Sequence, residues 1–424
     1  MNVSTQNNML LYGIMLLVLV YVARIQELFQ FLIPLQLGKI AILLALTLLM
    51  VSPKPPMRAS LLKIPQVKMV LGILALCLIS VPFSVYQGQS FNHAVMGFPR
   101  TILFFFLLIY AVNNFHDLRK LFWAFIFGVM ILAYFMITAS GTGRLAASAT
   151  YDPNDIAMLF VITLPIVYFF MNSRKGPTKL VLMGILLALL FAFILTGSRG
   201  GFIGLMVITI FILFMDKYRT WLTKILVLGI AVLAFFQFAP ETYWERIRTI
   251  TTYEEDYNYS AEYGRKALWK RGMQMMMQNP LTGVGAAAFT TGLGLSYGEE
   301  GGKWLTAHNA FVQIGAELGI GGFVLFIWLI ASSIRYLRRL RAKYARQPGI
   351  FRDHLWMATA LEVSLWGYVA TAMFLSAAYF VMFYFLIAMC CILRKLEMQV
   401  ELQEQAQENH SGLETQLQIV GARG

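Results

Sequence analysis

Long apolar runs joined by short polar turns constrain this chain more than any other feature of its sequence. They lie near residues 9–23, 33–51, 67–85, 99–112, 118–139, 155–171, 180–195, 200–215, 221–238, 308–334, 355–375 and 379–393. Crossing about 30 Å of hydrocarbon takes about 20 apolar residues. No water is present there to satisfy backbone N–H and C=O groups, so runs of this kind must be helical. Composition agrees: 58% of residues are hydrophobic and only 13% charged, more apolar than a soluble core of this length requires. The expected fold is an all-α, polytopic integral membrane protein with about twelve transmembrane helices. One large polar loop containing short helices interrupts the runs. The layout divides into residues 1–238 with nine spans, the loop 239–307, residues 308–393 with three spans, and a polar tail at 394–424.

Orientation follows from the basic residues, which are retained on the cytoplasmic side of short loops. Lys54, Arg58, Lys63 and Lys68 share one loop, Arg119 and Lys120 another, then Arg174, Lys175 and Lys179, then Lys217, Arg219 and Lys224. Arg335, Arg338, Arg339, Arg341, Lys343, Arg346 and Arg352 fall in a later loop of the same side, and Arg394 and Lys395 follow the last span. Arg24, Arg100, Arg144 and Arg199 stand singly on the opposite side. Both termini are therefore expected in the cytoplasm and the large loop outside. This bias explains the net charge of +13 through attraction to anionic membrane lipids, with no nucleic-acid partner.

Cys77, Cys390 and Cys391 all sit in apolar runs and offer neither metal-ligand spacing nor a disulfide framework. The first run lacks a basic leader and a small-residue cleavage site, and reads as a retained helix. The Gln- and Glu-rich tail reads as a frayed helix or disorder. No repeat of 20 to 50 residues and no paired interrupted helices of transporter type are evident. Ionisable residues within the runs are few: Lys39, Glu317 and Glu362. Glu317 lies nine residues past His308, about 13 Å along a helix rising 1.5 Å per residue, and reads as a buried acid bonded to a neighbouring helix.

Loops as long as 239–305 usually carry function. At its edges Thr196-Gly197-Ser198-Arg199-Gly200-Gly201 forms a glycine turn that places one guanidinium at the membrane interface. Such a turn suits close backbone approach to a phosphate; it equally suits a tight hairpin with a snorkelling arginine. Arg144, in Gly141-Thr142-Gly143-Arg144, is a weaker case, and the following Asp152-Pro153-Asn154-Asp155 has the residues of a helix cap. Within the loop, residues 265–271 read as a helix with Arg265, Trp269 and Met273 on one face, lying on the membrane surface or presenting Arg265 to an anionic headgroup. Asn279-Pro280-Leu281-Thr282-Gly283-Val284-Gly285 breaks it. His308 is the one histidine in the loop or at its ends, with an ordinary pKa that suits a general base; alone, it equally suits a structural role. Glu254-x-Asp256 imitates an acidic metal motif, but reads as solvated loop beside Tyr253, Tyr257 and Tyr259, which suit stacking on sugar or packing on lipid.

Taken together, Thr196–Gly201, Arg265-x-x-x-Trp269, Pro280-x-x-Gly283-x-Gly285 and His308-Asn309-x-Phe311, with Glu317-Leu318-Gly319 and Gly322 downstream, resemble the O-antigen ligase and polymerase superfamily of bacterial envelopes. The motifs cover roughly residues 152–334, and the layout of spans with one late periplasmic loop covers the rest. The resemblance implies a GT-C-like membrane fold in the bacterial inner membrane and a metal-independent, cofactor-free, inverting glycosyl transfer on the periplasmic face. The implied donor is an undecaprenyl diphosphate-linked glycan and the implied acceptor, for a ligase, a sugar of the lipid A core. Arg199 and Arg265, joined by Arg144, would hold the diphosphate, and His308 would deprotonate the acceptor. Asn309 would orient that ring or cap its helix, with Ser198, Asn154 and Trp269 as further substrate contacts. The superfamily also contains O-antigen or exopolysaccharide polymerases and protein O-oligosaccharyltransferases; ligase is the first choice. A lipid-linked glycan flippase is the alternative from another class, but it should line a central cavity with charge.

Overall fold

The computed structural model describes residues 3–52, 58–139, 151–217, 219–226, 229, 237, 244, 264–296, 304–345 and 351–421. Among these every regular element is helical. In chain order they are α1 (Val3–Ala23), α2 (Leu37–Val51), α3 (Pro65–Ser80), α4 (Phe98–Ala111), α5 (Phe115–Thr138), α6 (Pro153–Asn172), α7 (Pro177–Leu195), α8 (Arg199–Met215), α9 (Arg265–Gln278), α10 (Phe289–Ser296), α11 (Ala310–Tyr344), α12 (Arg352–Ala372) and α13 (Val381–Gly421). Among the described residues seven helical stretches are long and apolar enough to cross a membrane, and two shorter apolar helices, Asn8–Ala23 and Arg199–Met215, accompany them. The protein is thus a polytopic membrane protein. The span expected at 221–238 lies largely outside the described residues, as do Arg144 and the acidic and tyrosine-bearing segment 253–259.

The helix that organises the bundle is α6. It is apolar all round, and its residues from Ile156 to Val167 are all buried, the pattern of a helix enclosed by other helices. Helix α12 packs along it, and α8 and α11 pack in turn on α12. Because α12 and the first turns of α13 are covered by protein, they can carry polar groups that a lipid-facing helix could not. Glu362, fully buried, is paired there with Arg338 at 2.6 Å and Arg341 at 3.3 Å. Elsewhere large side chains such as Leu43, Met50, Leu180 and Phe214 face outward, as expected where the solvent is lipid. All three cysteines are free and buried.

Two irregularities depart from the apolar runs. Helix α4 extends backward through a π-helical turn, Asn92–Gly97, into Gln87–Phe91. Helix α11 is broken at Gly319, whose φ is 71°. At that break the segment after α9 docks onto the helix: Val284 and Gly285 donate their N–H groups to the carbonyls of Ala316 and Glu317, and Ile320 donates to Pro280. The helix gap is thereby filled with backbone partners from the loop. Gly283, at φ 61°, lies so close that a Cβ would come 2.3 Å from the Glu317 carbonyl carbon.

Glu317 is the buried acid expected, and its bonds reach the loop helix α10 and the segment before it. Its carboxylate accepts from the N–H groups of Ala287 at 3.0 Å and Phe289 at 3.4 Å, so it ties the loop to the bundle. Gly283→Ala is therefore expected to destabilise the fold by about 1–3 kcal/mol from the positive φ alone, with the clash in addition. A thermal scan in detergent should show a lowered midpoint for Gly283→Ala and little change for Thr282→Ala. An unchanged midpoint for Gly283→Ala would mean the docking does not hold the loop.

Candidate active site

Helices α6, α8 and α11 all begin at one face of the bundle, and α12 ends there. Each of the three starts with a side-chain cap. Asp152 accepts from the N–H groups of Asn154 and Asp155 and forms a capping box with Asp155, Ser198 accepts from Gly201, and Asn309 accepts from Phe311 and Val312. Pro153 adds a preset φ at the first turn of α6. Three helix N-termini at one face place three partial positive charges there.

The caps are also tied to one another. The Ser198 hydroxyl donates to Asn154 Oδ1 at 2.7 Å, joining α6 to α8. The glycines after Arg199 receive side chains: a Cβ on Gly200 would sit 2.9 Å from Phe374, and one on Gly201 2.6 Å from Ala157. Their smallness serves helix packing, where the sequence suggested approach to a ligand. Arg199, the first residue of α8, is half-buried beside this contact.

From the loop, α9 contributes Arg265 and Trp269. Its buried stripe is Leu268, Gly272, Met275 and Met276, with Gly272 against Val312 of α11. The helix thus packs on α11, and Arg265 and Trp269 lie at the edge of the packed stripe. Met273, expected on their face, is 51% exposed. The Trp269 indole donates to the Ala307 carbonyl at 3.1 Å, holding the turn that carries His308. The Arg265 guanidinium lies 5.8 Å from the ring centre of Phe374.

His308 occupies left-handed backbone, φ 45°, a strained conformation that persists only when its surroundings enforce it. Here its N–H donates to Ser376 Oγ at 2.8 Å, and its Nε2 lies 3.3 Å from the Thr306 hydroxyl. Burial lowers the imidazole pKa, and the nearby Arg265 charge lowers it further; Asp152 opposes both. Burial and the Arg265 charge thus both favour the neutral imidazole, the form that can accept a proton.

Asn154, Ser198, Arg199, Arg265, Trp269, His308 and Asn309 thus meet at one place, whereas Arg144 falls outside the described residues. Within it Ser198, fully buried, and Asn309, 3% exposed, act as caps, and Trp269 acts as a tether. Arg199, Arg265 and His308 are the ionisable members of the group. Sequence reasoning missed Phe374 and Ser376, in the turn between α12 and α13, because that turn carries no recognisable motif. It also missed Asp152 as a charge acting on His308. A third guanidinium, Arg24, reaches this same face from the end of α1, 3.9 Å from the ring centre of Tyr151.

If His308 acts as a base, activity should persist below pH 6.5, the ordinary histidine value, and fall as pH drops through the lowered pKa. Asp152→Asn keeps the cap and removes a charge that raises the pKa, so the acid limb of kcat/KM should move to lower pH. A limb that does not move, or moves upward, would remove His308 from the titration.

Residues 184–327 match the family described as O-antigen ligase. The matched stretch contains Arg199, Arg265, Trp269, His308 and Asn309, and it supports a membrane glycosyl-transfer role in lipopolysaccharide assembly. No curated protein matches the chain.

Proposed function

With that family match as the premise, we propose that the chain is an O-antigen ligase of the bacterial inner membrane. It moves a finished glycan from undecaprenyl diphosphate to a sugar hydroxyl of the lipid A core, on the periplasmic face and without a metal. The observation that supports this reading is that His308, its pKa lowered by burial and by Arg265, shares one face of the bundle with Arg265 and with the helix end that bears Arg199. A diphosphate leaving group needs cations that bind it and a field that favours the charge it gains. Two guanidinium groups and three helix N-termini supply both.

In the reaction His308 takes the proton of the acceptor hydroxyl, and that oxygen bonds to the anomeric carbon from the face opposite the diphosphate. The bond from carbon to phosphate oxygen breaks with inversion, and its electron pair stays on the undecaprenyl diphosphate beside Arg199 and Arg265. His308 then returns its proton to water. The donor carries its own leaving group, so no nucleotide is consumed outside the cell. Arg144 would join the diphosphate contacts, and Asn154 and Trp269 would line the glycan path.

The test is complementation of a host strain that lacks its own ligase but makes the lipid-linked glycan. Wild-type chain should place the glycan on lipid A core. Longer lipid-linked glycan with bare core would identify a polymerase, modified protein an oligosaccharyltransferase, and glycan moved without any new covalent bond a flippase.

A further inference from the structure

We propose that a cleft on the membrane face opposite His308 is a binding site for an anionic phospholipid headgroup. It has a volume of about 620 Å³ and lies between the start of α3, the basic end of α11 and α13. This inference rests on the chain being embedded in a membrane, and not on glycosyl transfer.

Charge gives the first argument. Arg335 and Arg339 of α11 line the cleft four residues apart on one helix, and Lys63 faces them from the segment before α3. Like charges at that spacing repel each other, and none of the three has a carboxylate partner among the described residues. The acid that lines the cleft, Glu397, is already engaged: Lys343 contacts it at 2.9 Å, Arg394 at 2.8 Å, and the Tyr336 hydroxyl donates to it at 3.2 Å. The cleft therefore holds three cations that its own carboxylate does not balance.

Shape and position decide what balances them. A free phosphate would use only the cationic rim, yet the wall is apolar, built from Met69, Leu340 and Trp328. Trp328 is 55% exposed and sits two turns before Arg335, where α11 passes from apolar to basic residues. Amphipathic aromatic rings mark the headgroup level of a bilayer. Cations above and apolar surface below fit a phosphate head with its acyl chains, and basic pockets between membrane helices take such headgroups.

The full chain in detergent micelles is titrated with cardiolipin and, separately, with phosphatidylcholine, and bound lipid is counted by native mass spectrometry. Wild type should retain cardiolipin at least tenfold more tightly than phosphatidylcholine. Each cation near an anionic lipid strengthens attraction about fivefold, so K63Q/R335Q/R339Q should weaken cardiolipin roughly a hundredfold. R335K/R339K should keep it within about fivefold. The control K175Q/K179Q/K217Q removes as much charge from the same face outside the cleft, and should bind as wild type does.

Three results would overturn the site. Equal weakening in the control would mean bulk charge attraction only, and equal retention of phosphatidylcholine would mean an unspecific apolar cleft. Displacement of cardiolipin by millimolar inorganic phosphate, which then stays bound, would mean a free-anion site. The comparison of the two lipids on wild type holds even if the glutamine variant fails to fold.

Discussion

His308→Ala is expected to lower glycan transfer by roughly 10²–10⁴-fold, the usual contribution of a positioned general base, while donor affinity stays close to that of wild type. The separation follows from where the ring sits. Its N–H and its left-handed backbone are held by Ser376, and the cations that would hold the diphosphate belong to other helices. Removing the imidazole leaves the caps of α8 and α11 intact, so the donor site should survive. Donor binding is read with a fluorescent undecaprenyl diphosphate-linked glycan and transfer with a lipid A core acceptor. Parallel loss of both would show that His308 is structural, and loss of neither would remove it from the mechanism.

Arg265→Gln and Arg199→Gln are expected to weaken donor binding and also to slow transfer, by roughly 10²–10³-fold, as loss of a group that stabilises developing charge does. Lysine should rescue poorly at either position, since a guanidinium grips phosphate oxygens with paired N–H groups and an ammonium cannot. The two sites should differ in one respect. Arg265 lowers the His308 pKa, so in Arg265→Gln the residual activity should lose its acid tolerance and its acid limb should move upward. Arg199→Gln should leave that limb in place. A shift in both variants, or in neither, would contradict the action of the Arg265 charge on the ring.

Most of the architecture was legible because lipid leaves the backbone so little freedom: an apolar run long enough to cross must be a helix. The irregular parts were not legible. The break at Gly319 falls inside the apolar run 308–334, where nothing in the hydropathy changes. It exists because the loop from Pro280 to Gly285 supplies the hydrogen bonds that the helix gives up. Glu317 reads as a buried acid bonded to a neighbouring helix, and Phe289 of α10 is one such partner, but no local pattern announces N–H partners 30 and 28 positions earlier. The π-helical turn before α4 was missed for a like reason, since the extra residue erases the helical period. Arg199, Arg265 and His308 each admit a structural reading on their chemistry alone, and it is the resemblance of the surrounding motifs that singles them out. Phe374 and Ser376, which hold two of them, are ordinary residues in an unmarked turn 66 and 68 positions after His308.

The most direct measurement is transfer by purified chain in detergent, with undecaprenyl diphosphate-linked glycan as donor, rough lipopolysaccharide as acceptor and EDTA present throughout. Glycan linked to the lipopolysaccharide by wild type, with no linkage by His308→Ala, is the expected result. Transfer that stops with EDTA and returns with a divalent ion, or wild-type activity in His308→Ala, would contradict it.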